Sequence, residues 1–219
     1  MSQPATASGP EPRPRPGKWA LLAAIFAVMV VLDQWTKYLA VERLTFAFER
    51  AQASSAGEKL AVFYGQRHLE ALARPPYVVW RPIWRMNYVE NPGAAWGLFR
   101  NLSEDARNAF FGLISVGAVA FILHYYRKLG ERQRFLQVAL AFVLSGAMGN
   151  FVDRLARRYV IDFVEWYWWN RPDLRWPTFN LADSLIVVGV AMLLLHPAEP
   201  RGAPAETAAG GKNRARPAG

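Results

Sequence analysis

Residues 19–37 read WALLAAIFAVMVVLDQWTK, and this stretch decides the class of the fold. Its first fourteen residues, 19–32, carry apolar side chains without interruption. A helix needs about 20 mainly apolar residues to span the hydrocarbon core of a bilayer. The run is too long for the apolar region of a secretory signal peptide, and no small-residue cleavage site follows it. We therefore predict a first transmembrane helix over about residues 19–41.

Three further apolar blocks follow, over about residues 107–126, 135–154 and 180–196. Each approaches the length of a spanning helix, and the last is the shortest. The predicted fold is an all-α membrane protein whose four transmembrane helices form one domain over residues 19–196. The alternative is that one block is a re-entrant or buried segment.

The composition limits the classes of molecule that this protein is expected to bind. The 219-residue chain is 53% hydrophobic and carries a net charge of +9, with the basic residues placed in tails and loops beside the apolar blocks. This placement predicts membrane lipids with anionic headgroups as partners, and no nucleic acid. Cysteine is absent, which excludes a disulfide, a thiolate nucleophile and a cysteine-ligated metal.

The basic residues also orient the chain. With the N-terminus inside, Lys and Arg make up 11 of the 49 residues in segments 1–18, 127–134 and 197–219. They make up 13 of the 90 residues in the outer segments, 42–105 and 154–179. Because cytoplasmic segments carry the excess of Lys and Arg, both termini are predicted to be cytoplasmic. The two ends, rich in Pro, Ala and Gly, are predicted to be disordered basic tails.

The outer segments hold more than linkers. Residues 76–89 are rich in β-branched and aromatic side chains, which predicts short strands. Residues 163–169, FVEWYWW, are typical of an aromatic belt at the membrane interface, with substrate contact as the alternative role. Residues 43–74 contain no long apolar run, so we interpret them as a surface insertion that modulates access to the site without taking part in chemistry.

Placing a charged residue within a membrane-spanning helix costs free energy, so each such residue is expected to have a structural or functional role. Asp33 and Lys37 lie one turn apart on the same face of the first predicted helix, which predicts an ion pair. A purely structural pair is the preferred reading of these two residues.

The third and fourth predicted helices carry polar residues at their outer ends, spaced three or four apart. These residues are Asn150, Asp153 and Arg154 in the third helix, and Asn180 and Asp183 in the fourth. Gly146 and Gly149 allow a neighbouring helix to approach closely. The polar groups of three helices therefore meet at one level near the outer surface, which indicates a site.

The residue types limit the chemistry of this site. His68, His124 and His196 are the only histidines, and none is predicted at this level, so a Ser-His pair is disfavoured. There is no His-Glu-x-x-His run for zinc. Two carboxylates in a poorly solvated site can share a proton, so that one activates water while the other donates. A hydrogen-bonded network that only orders the helices is the alternative.

Four stretches resemble a known family in order and position. They are DQWTK at 33–37, NPGAAWG at 91–97, GNFVDR at 149–154 leading to VIDF at 160–163, and FNLADS at 179–184. Together they resemble the prolipoprotein (type II) signal peptidases, which are bacterial intramembrane aspartic peptidases. Pro92 and Trp96 are minor departures from the family's pattern.

The resemblance implies roles for individual residues. It makes Asp162 and Asp183 the catalytic pair, although helix geometry alone favours Asp153. It makes Asp153 structural, with Asn150 and Arg154 as the local partners expected to hold it ionised. It implies a supporting set of Asp33, Lys37, Asn91, Gly93, Asn150, Arg154 and Asn180. It also implies a small outer β-cradle, which fits residues 76–89.

The implied activity is removal of the signal peptide from diacylglyceryl-modified prolipoproteins, by cleavage before the lipidated cysteine. No metal or organic cofactor is implied. The expected protein is a monomer in the bacterial inner membrane, with its active site near the outer face. A proton-coupled carrier and a non-catalytic assembly factor are the alternatives, because both can also hold carboxylates within a membrane.

Overall fold

The computed structural model describes residues 17–93, 103–169 and 171–196. The helices are α1 (Lys18–Leu44), α2 (Ala47–Arg50), α3 (Ala56–Gly65), a 3₁₀ helix (Leu69–Leu72), α4 (Glu104–Lys128), α5 (Arg134–Arg157) and α6 (Leu181–Leu195). The strands are β1 (Tyr77–Trp80), β2 (Trp84–Asn91), β3 (Val160–Trp168) and β4 (Arg171–Arg175). The predicted tails, residues 1–18 and 197–219, lie outside the described residues except for 17 and 18. Lys18 is already helical, so the first helix begins one residue earlier than predicted.

Among the described residues, three helices are long and apolar enough to cross a bilayer. They are α1, α4 and α5, with 27, 25 and 24 residues. The fourth predicted span is the 15-residue apolar helix α6. At 1.5 Å per residue it is about 22 Å long, which is shorter than a hydrocarbon core of about 30 Å. Four membrane crossings therefore remain a prediction.

Helix α5 is the centre of the bundle and packs against α1, α4 and α6. Over its most apolar 18 residues 56% are buried inside the protein, against 11% for α1 and for α4. The close approach predicted at two glycines is confirmed. A Cβ atom on Gly146 would collide with the carbonyl oxygen of Ala182, and one on Gly149 with the carboxylate of Asp33. Small residues thus let α1 and α6 reach the backbone of α5.

The strands form one antiparallel sheet in the order β1-β2-β3-β4. Strands β1 and β2 confirm the prediction over residues 76–89. Most of the predicted aromatic belt, 163–169, is the second half of β3, which the sequence reading missed as a strand. The two charged residues of β3, Asp162 and Glu165, are three apart, so its apolar residues do not alternate with polar ones. In the β2–β3 register Val89 lies opposite Asp162, which brings the end of β2 to the start of β3.

The interpretation of residues 43–74 as a surface insertion is wrong for the buried residues of this segment. Phe48, Val62, Phe63 and Leu69 are buried, and they pack in one cluster with Tyr88 and residues of β3. Residues 51–61, apart from Ala53 and Lys59, and residues 64–68 are exposed. The buried residues are scattered over three short elements, so no apolar periodicity reveals them.

Candidate active site

Asp162 is the third residue of β3 and is 1% exposed. Its Oδ2 accepts a hydrogen bond from Asn91 Nδ2 at 2.9 Å, and its Oδ1 accepts one from Asn180 Nδ2 at 2.7 Å. Burial, together with the nearby charge of Asp183, raises the pKa of Asp162 to about 7. The two asparagine amides act in the opposite direction, because they favour the ionised form. Asp162 can therefore gain or lose a proton near neutral pH.

Asp183 is positioned by the start of α6. Its backbone N–H donates to Asn180 Oδ1 at 3.0 Å, and its Oδ2 accepts from the Asn180 backbone N–H at 3.2 Å. This reciprocal capping box both begins the helix and fixes the carboxylate. The other oxygen, Oδ1, accepts from Asn150 Nδ2 at 2.8 Å. Asp183 is half-buried, so it faces the more open side of the site.

Asn180 joins the two aspartates. Besides Asp162, its Nδ2 lies 3.1 Å from Asn150 Oδ1 and 3.2 Å from the Ile161 carbonyl oxygen. Its place depends on β3, because the backbone of Phe179 exchanges hydrogen bonds with Val164. Asp162, from a strand, and Asp183, from a helix, are thus held around one buried amide.

A second cluster of charges, the lower cluster, adjoins this pair through Asn150. Lys37 Nζ lies 2.8 Å from Asp33 Oδ2, which confirms the predicted ion pair. It also lies 2.9 Å from Asp153 Oδ2 and 3.1 Å from Asn150 Oδ1. Asp33 Oδ1 accepts from the Ala182 backbone N–H at 3.0 Å. Lys37 therefore connects the buried cluster to the side chain that holds Asp183.

The local partners expected for Asp153 are wrong. Its Oδ1 is paired with Arg157 Nη1 at 2.7 Å, not with Arg154. The reason is helical geometry: residues four apart share a face, whereas adjacent residues point in different directions. Arg154 instead donates to the Asn150 carbonyl oxygen at 3.3 Å, and its guanidinium carbon lies 5.0 Å from the Phe111 ring centroid.

Two members of the lower cluster were missed by sequence reasoning. Arg157 lies beyond the predicted end of its helix, although its i+4 spacing from Asp153 was a usable signal. Gln34 stands inside the DQWTK stretch, and its Nε2 donates to Asp33 Oδ2 at 3.1 Å and Asp153 Oδ1 at 3.0 Å. Nothing in the local pattern indicated that Gln34 reaches α5.

Gly93 shapes the approach to Asn91. It has φ +89°, a conformation that glycine adopts readily, and its N–H donates to Asn91 Oδ1 at 2.9 Å. A Cβ atom here would collide with the Phe111 ring. The next residues of the NPGAAWG stretch, 94–97, lie outside the described residues. Within the described ranges, no group of three or more His, Cys, Asp or Glu could hold a metal ion.

Two solved structures share the fold of this chain. A bacterial membrane enzyme determined at 1.9 Å by the in meso method is 25% identical with a TM-score of 0.56, covering 80% of this chain and 90% of that chain. A second, at 2.3 Å, is 24% identical with a TM-score of 0.55, covering 80% and 85%.

Sequence comparisons are more specific. A lipoprotein signal peptidase of Anaeromyxobacter sp. (strain Fw109-5) is 73% identical over 180 residues, which is 82% of this chain and 85% of the relative. A lipoprotein signal peptidase of Symbiobacterium thermophilum is 34% identical over 177 residues, covering 80% and 93%. A family model described as Signal peptidase (SPase) II matches residues 25–198. The chain belongs to the signal peptidase II family.

Proposed function

We propose that this protein is an aspartic endopeptidase that removes the signal peptide from diacylglyceryl-modified prolipoproteins, by cleaving before the lipidated cysteine. The observation that carries the proposal is the pairing of Asp162 and Asp183 around amide donors. Among the described residues, the hydrogen bonds to both carboxylates come from the side-chain amides of three asparagines and one backbone N–H. Amide donors orient the carboxylates without adding a positive charge, so the pair can share a proton.

The proposed mechanism divides the work between the two aspartates. Deep burial favours the shared proton on Asp162, and we assign the role of general base to the more open Asp183. Asp183 takes a proton from a water held between them as the water oxygen attacks the scissile carbonyl carbon. Protonated Asp162 donates a hydrogen bond to the carbonyl oxygen as charge develops on it. The C–N bond then breaks, and the proton taken from water leaves on the amine.

The proposed substrate explains the siting of this pair among apolar helices. The diacylglyceryl chains remain in lipid while the peptide bond reaches water at the outer end of the bundle. We infer that burial of these chains in the bilayer, at about 0.8 kcal/mol per CH₂, anchors the precursor and holds its scissile bond near the aspartates.

The test uses the purified protein in detergent with lipidated and unlipidated forms of one precursor. We expect release of the signal peptide from the lipidated form and poor cleavage of the unlipidated form. Equal cleavage of both would contradict the proposed lipid specificity. A double variant, Asp162→Asn with Asp183→Asn, should be inactive. Full processing by it would favour a non-catalytic assembly factor.

The proposed topology has four membrane crossings, both termini in the cytoplasm and the aspartates near the outer face of the inner membrane. The position of the first residue of α1 supports this topology. Lys18 Nζ donates to the carbonyl oxygens of Arg127 at 3.0 Å and Leu129 at 2.6 Å, so α1 starts beside the basic α4–α5 loop. Asp33 lies about 22 Å further along α1.

Reporter fusions test this topology. Fusions after residue 130 and at the C-terminus should report the cytoplasm, and one near Ala56 should report the outer side. An outer signal from the fusion after 130 would reverse the arrangement. Sedimentation in detergent tests the proposed monomer.

A further inference from the structure

Arg157, the last residue of α5, is fully buried at the outer end of the bundle. Its Nη1 pairs with Asp153 Oδ1, and its Nε donates to the carbonyl oxygen of Phe63 at 2.7 Å. Its guanidinium carbon lies 4.0 Å from the ring centroid of Phe63 and 5.0 Å from that of Tyr64. A side chain of the bundle is thus held by a helix of the large outer loop, 94 residues away in sequence.

The end of α3 is well suited to hold a cation. Phe63 lies in the last turn of α3, where carbonyl groups lack partners within the helix and the helix dipole is negative. The faces of two aromatic rings also attract a guanidinium group. Tyr64 makes a second link, since its hydroxyl donates to Gln34 Oε1 at 3.4 Å. Helix α3 therefore supports two of the groups that bind Asp153.

Asp153 in turn contacts groups that position each of the two proposed catalytic aspartates. Its Oδ2 accepts from the backbone N–H of Ile161 at 3.2 Å, directly before Asp162. The same oxygen lies 2.9 Å from Lys37 Nζ, which donates to the Asn150 side chain that holds Asp183. Each aspartate is therefore connected to Arg157 through Asp153.

Charge balance makes this connection sensitive to Arg157. Asp33, Asp153, Lys37 and Arg157 all have side chains with 0% exposure, and their formal charges cancel. Without Arg157, two buried carboxylates would compete for Lys37, because an unpaired buried charge is strongly unfavourable. Lys37 would then be drawn toward Asp153 and away from Asn150.

We propose that Arg157 is a positioning residue for the Asp162–Asp183 pair, and that α3 of the enlarged outer loop sets its place. The loop is then part of the active-site structure and not a separate insertion. This inference rests on the proposed peptidase function.

The test compares Arg157→Gln and Arg157→Lys with Arg158→Gln. Arg158 is the adjacent residue, and it pairs with the exposed Asp105 instead of the buried cluster. For each purified protein, kcat per folded molecule, KM, the pH profile of cleavage and thermal unfolding are measured on a lipidated precursor.

Arg157→Gln should lower kcat by about 10- to 100-fold with little change in KM, because small displacements of reacting groups are costly. The pH profile should move to higher pH, since loss of a cation favours protonated carboxylates. The titratable and charged groups around Arg157 and Asp153 that also contribute are Asp33, Lys37, Tyr64, Tyr88, Glu90, Arg154, Tyr159, Asp162 and Asp183. Arg157→Lys should recover part of kcat, and Arg158→Gln should match the wild type.

A purely structural role would lower only the unfolding temperature. Wild-type kcat per folded molecule and an unchanged pH profile in Arg157→Gln would therefore overturn the inference. If that variant does not fold, Phe63→Leu decides, because it removes the ring but keeps the carbonyl and the apolar contact. It should show the same changes to a smaller degree, and wild-type behaviour would overturn the inference. If the wild-type protein itself fails to cleave, the proposed function is at fault instead.

Discussion

Two pairs of carboxylates lie at the end of the bundle where α5 ends and α6 begins, and their surroundings differ. Asp33 and Asp153 are fully buried against Lys37 and Arg157, with two carboxylates and two cations in contact. Asp162 and Asp183 are bound by asparagine amides instead. One residue, Asn150, touches both groups, since it accepts from Lys37 and donates to Asp183.

The difference supports the structural and catalytic roles proposed for these carboxylates. Asp33 and Asp153 are in contact with cations, and the pair between Lys37 and Asp153 links α1 to α5. A buried carboxylate held by neutral amides titrates near neutral pH, as the raised pKa of Asp162 indicates. Proton exchange is what a general acid or base needs. Asp33 and Asp153, the lower pair, are therefore suited to holding the helices together. Asp162 and Asp183, the upper pair, are suited to chemistry.

The largest effect should come from the upper pair. Asp162→Asn and Asp183→Asn should each reduce turnover by at least about 10⁴-fold, and the double variant should be scarcely worse, because the pair acts as a unit. Both single variants should insert and unfold almost normally. The measurement is turnover per folded molecule on a lipidated precursor. An active Asp162→Asn beside a stable but inactive Asp153→Asn would move the catalytic pair to Asp153 and Asp183.

The next effect should come from the lower pair, on stability. Asp153→Asn leaves Lys37 and Arg157 with a single carboxylate, which should cost about 3–5 kcal/mol of unfolding free energy. Molecules that fold should show residual activity, lowered because Asp153 links Arg157 to the groups that position Asp162 and Asp183. Thermal unfolding and yield in detergent check this, with Asp105→Asn as the matched control. Asp105 forms an exposed pair with Arg158, worth about 0–1 kcal/mol. Equal stability of the two variants would refute the assigned structural role.

The pH dependence of stability should distinguish the two pairs further. Burial raises the pKa of Asp162 from 3.8 to about 7, so the folded state prefers its protonated form. This contribution is fully present below about pH 4 and is lost as the pH rises through about 7, with a size on the order of 4 kcal/mol at most. Asp162→Asn cannot titrate at this position.

Unfolding temperatures of the wild type and Asp162→Asn, measured from pH 4 to pH 8, check this prediction. Relative to the variant, the wild type should lose stability across that range. A constant difference between the two proteins would mean that Asp162 does not titrate with a raised pKa.

The smallest effect should come from a single amide donor of the upper pair. Asn91→Ala removes one hydrogen bond to Asp162, and bonds to charged groups contribute about 1.5–3 kcal/mol, so turnover should fall about 10- to 100-fold. Asn87→Ala is the control on the same strand, because Asn87 binds Glu165 at 2.9 Å and not the aspartates. Equal kcat in both variants would show that the hydrogen bond from Asn91 does not contribute to turnover.

Local sequence was sufficient for the long apolar helices and for one pair within a helix, Asp33 and Lys37, but it gave Asp153 the wrong partner. Length and apolar content marked the long spans, because a bilayer imposes both. Spacing of three or four residues predicted the contact between Asp33 and Lys37, and it placed Asn180 and Asp183 on one face, because such residues are neighbours on a helix. The roles of Asp162 and Asp183 came from the ordered motifs of the family, and those roles remain predictions.

Only the tertiary structure decided which carboxylates meet which partners. Arg157 reaches Phe63 across 94 residues, and Asp33 reaches the Ala182 N–H across 149. Asp162 depends on a strand register and on an asparagine from another element. Hydropathy and periodicity indicate which face of a single segment is buried and which is exposed. They do not specify contacts between segments that are distant in sequence. Whether a carboxylate is structural or catalytic depends on the groups around it, and those groups come together only when the chain folds.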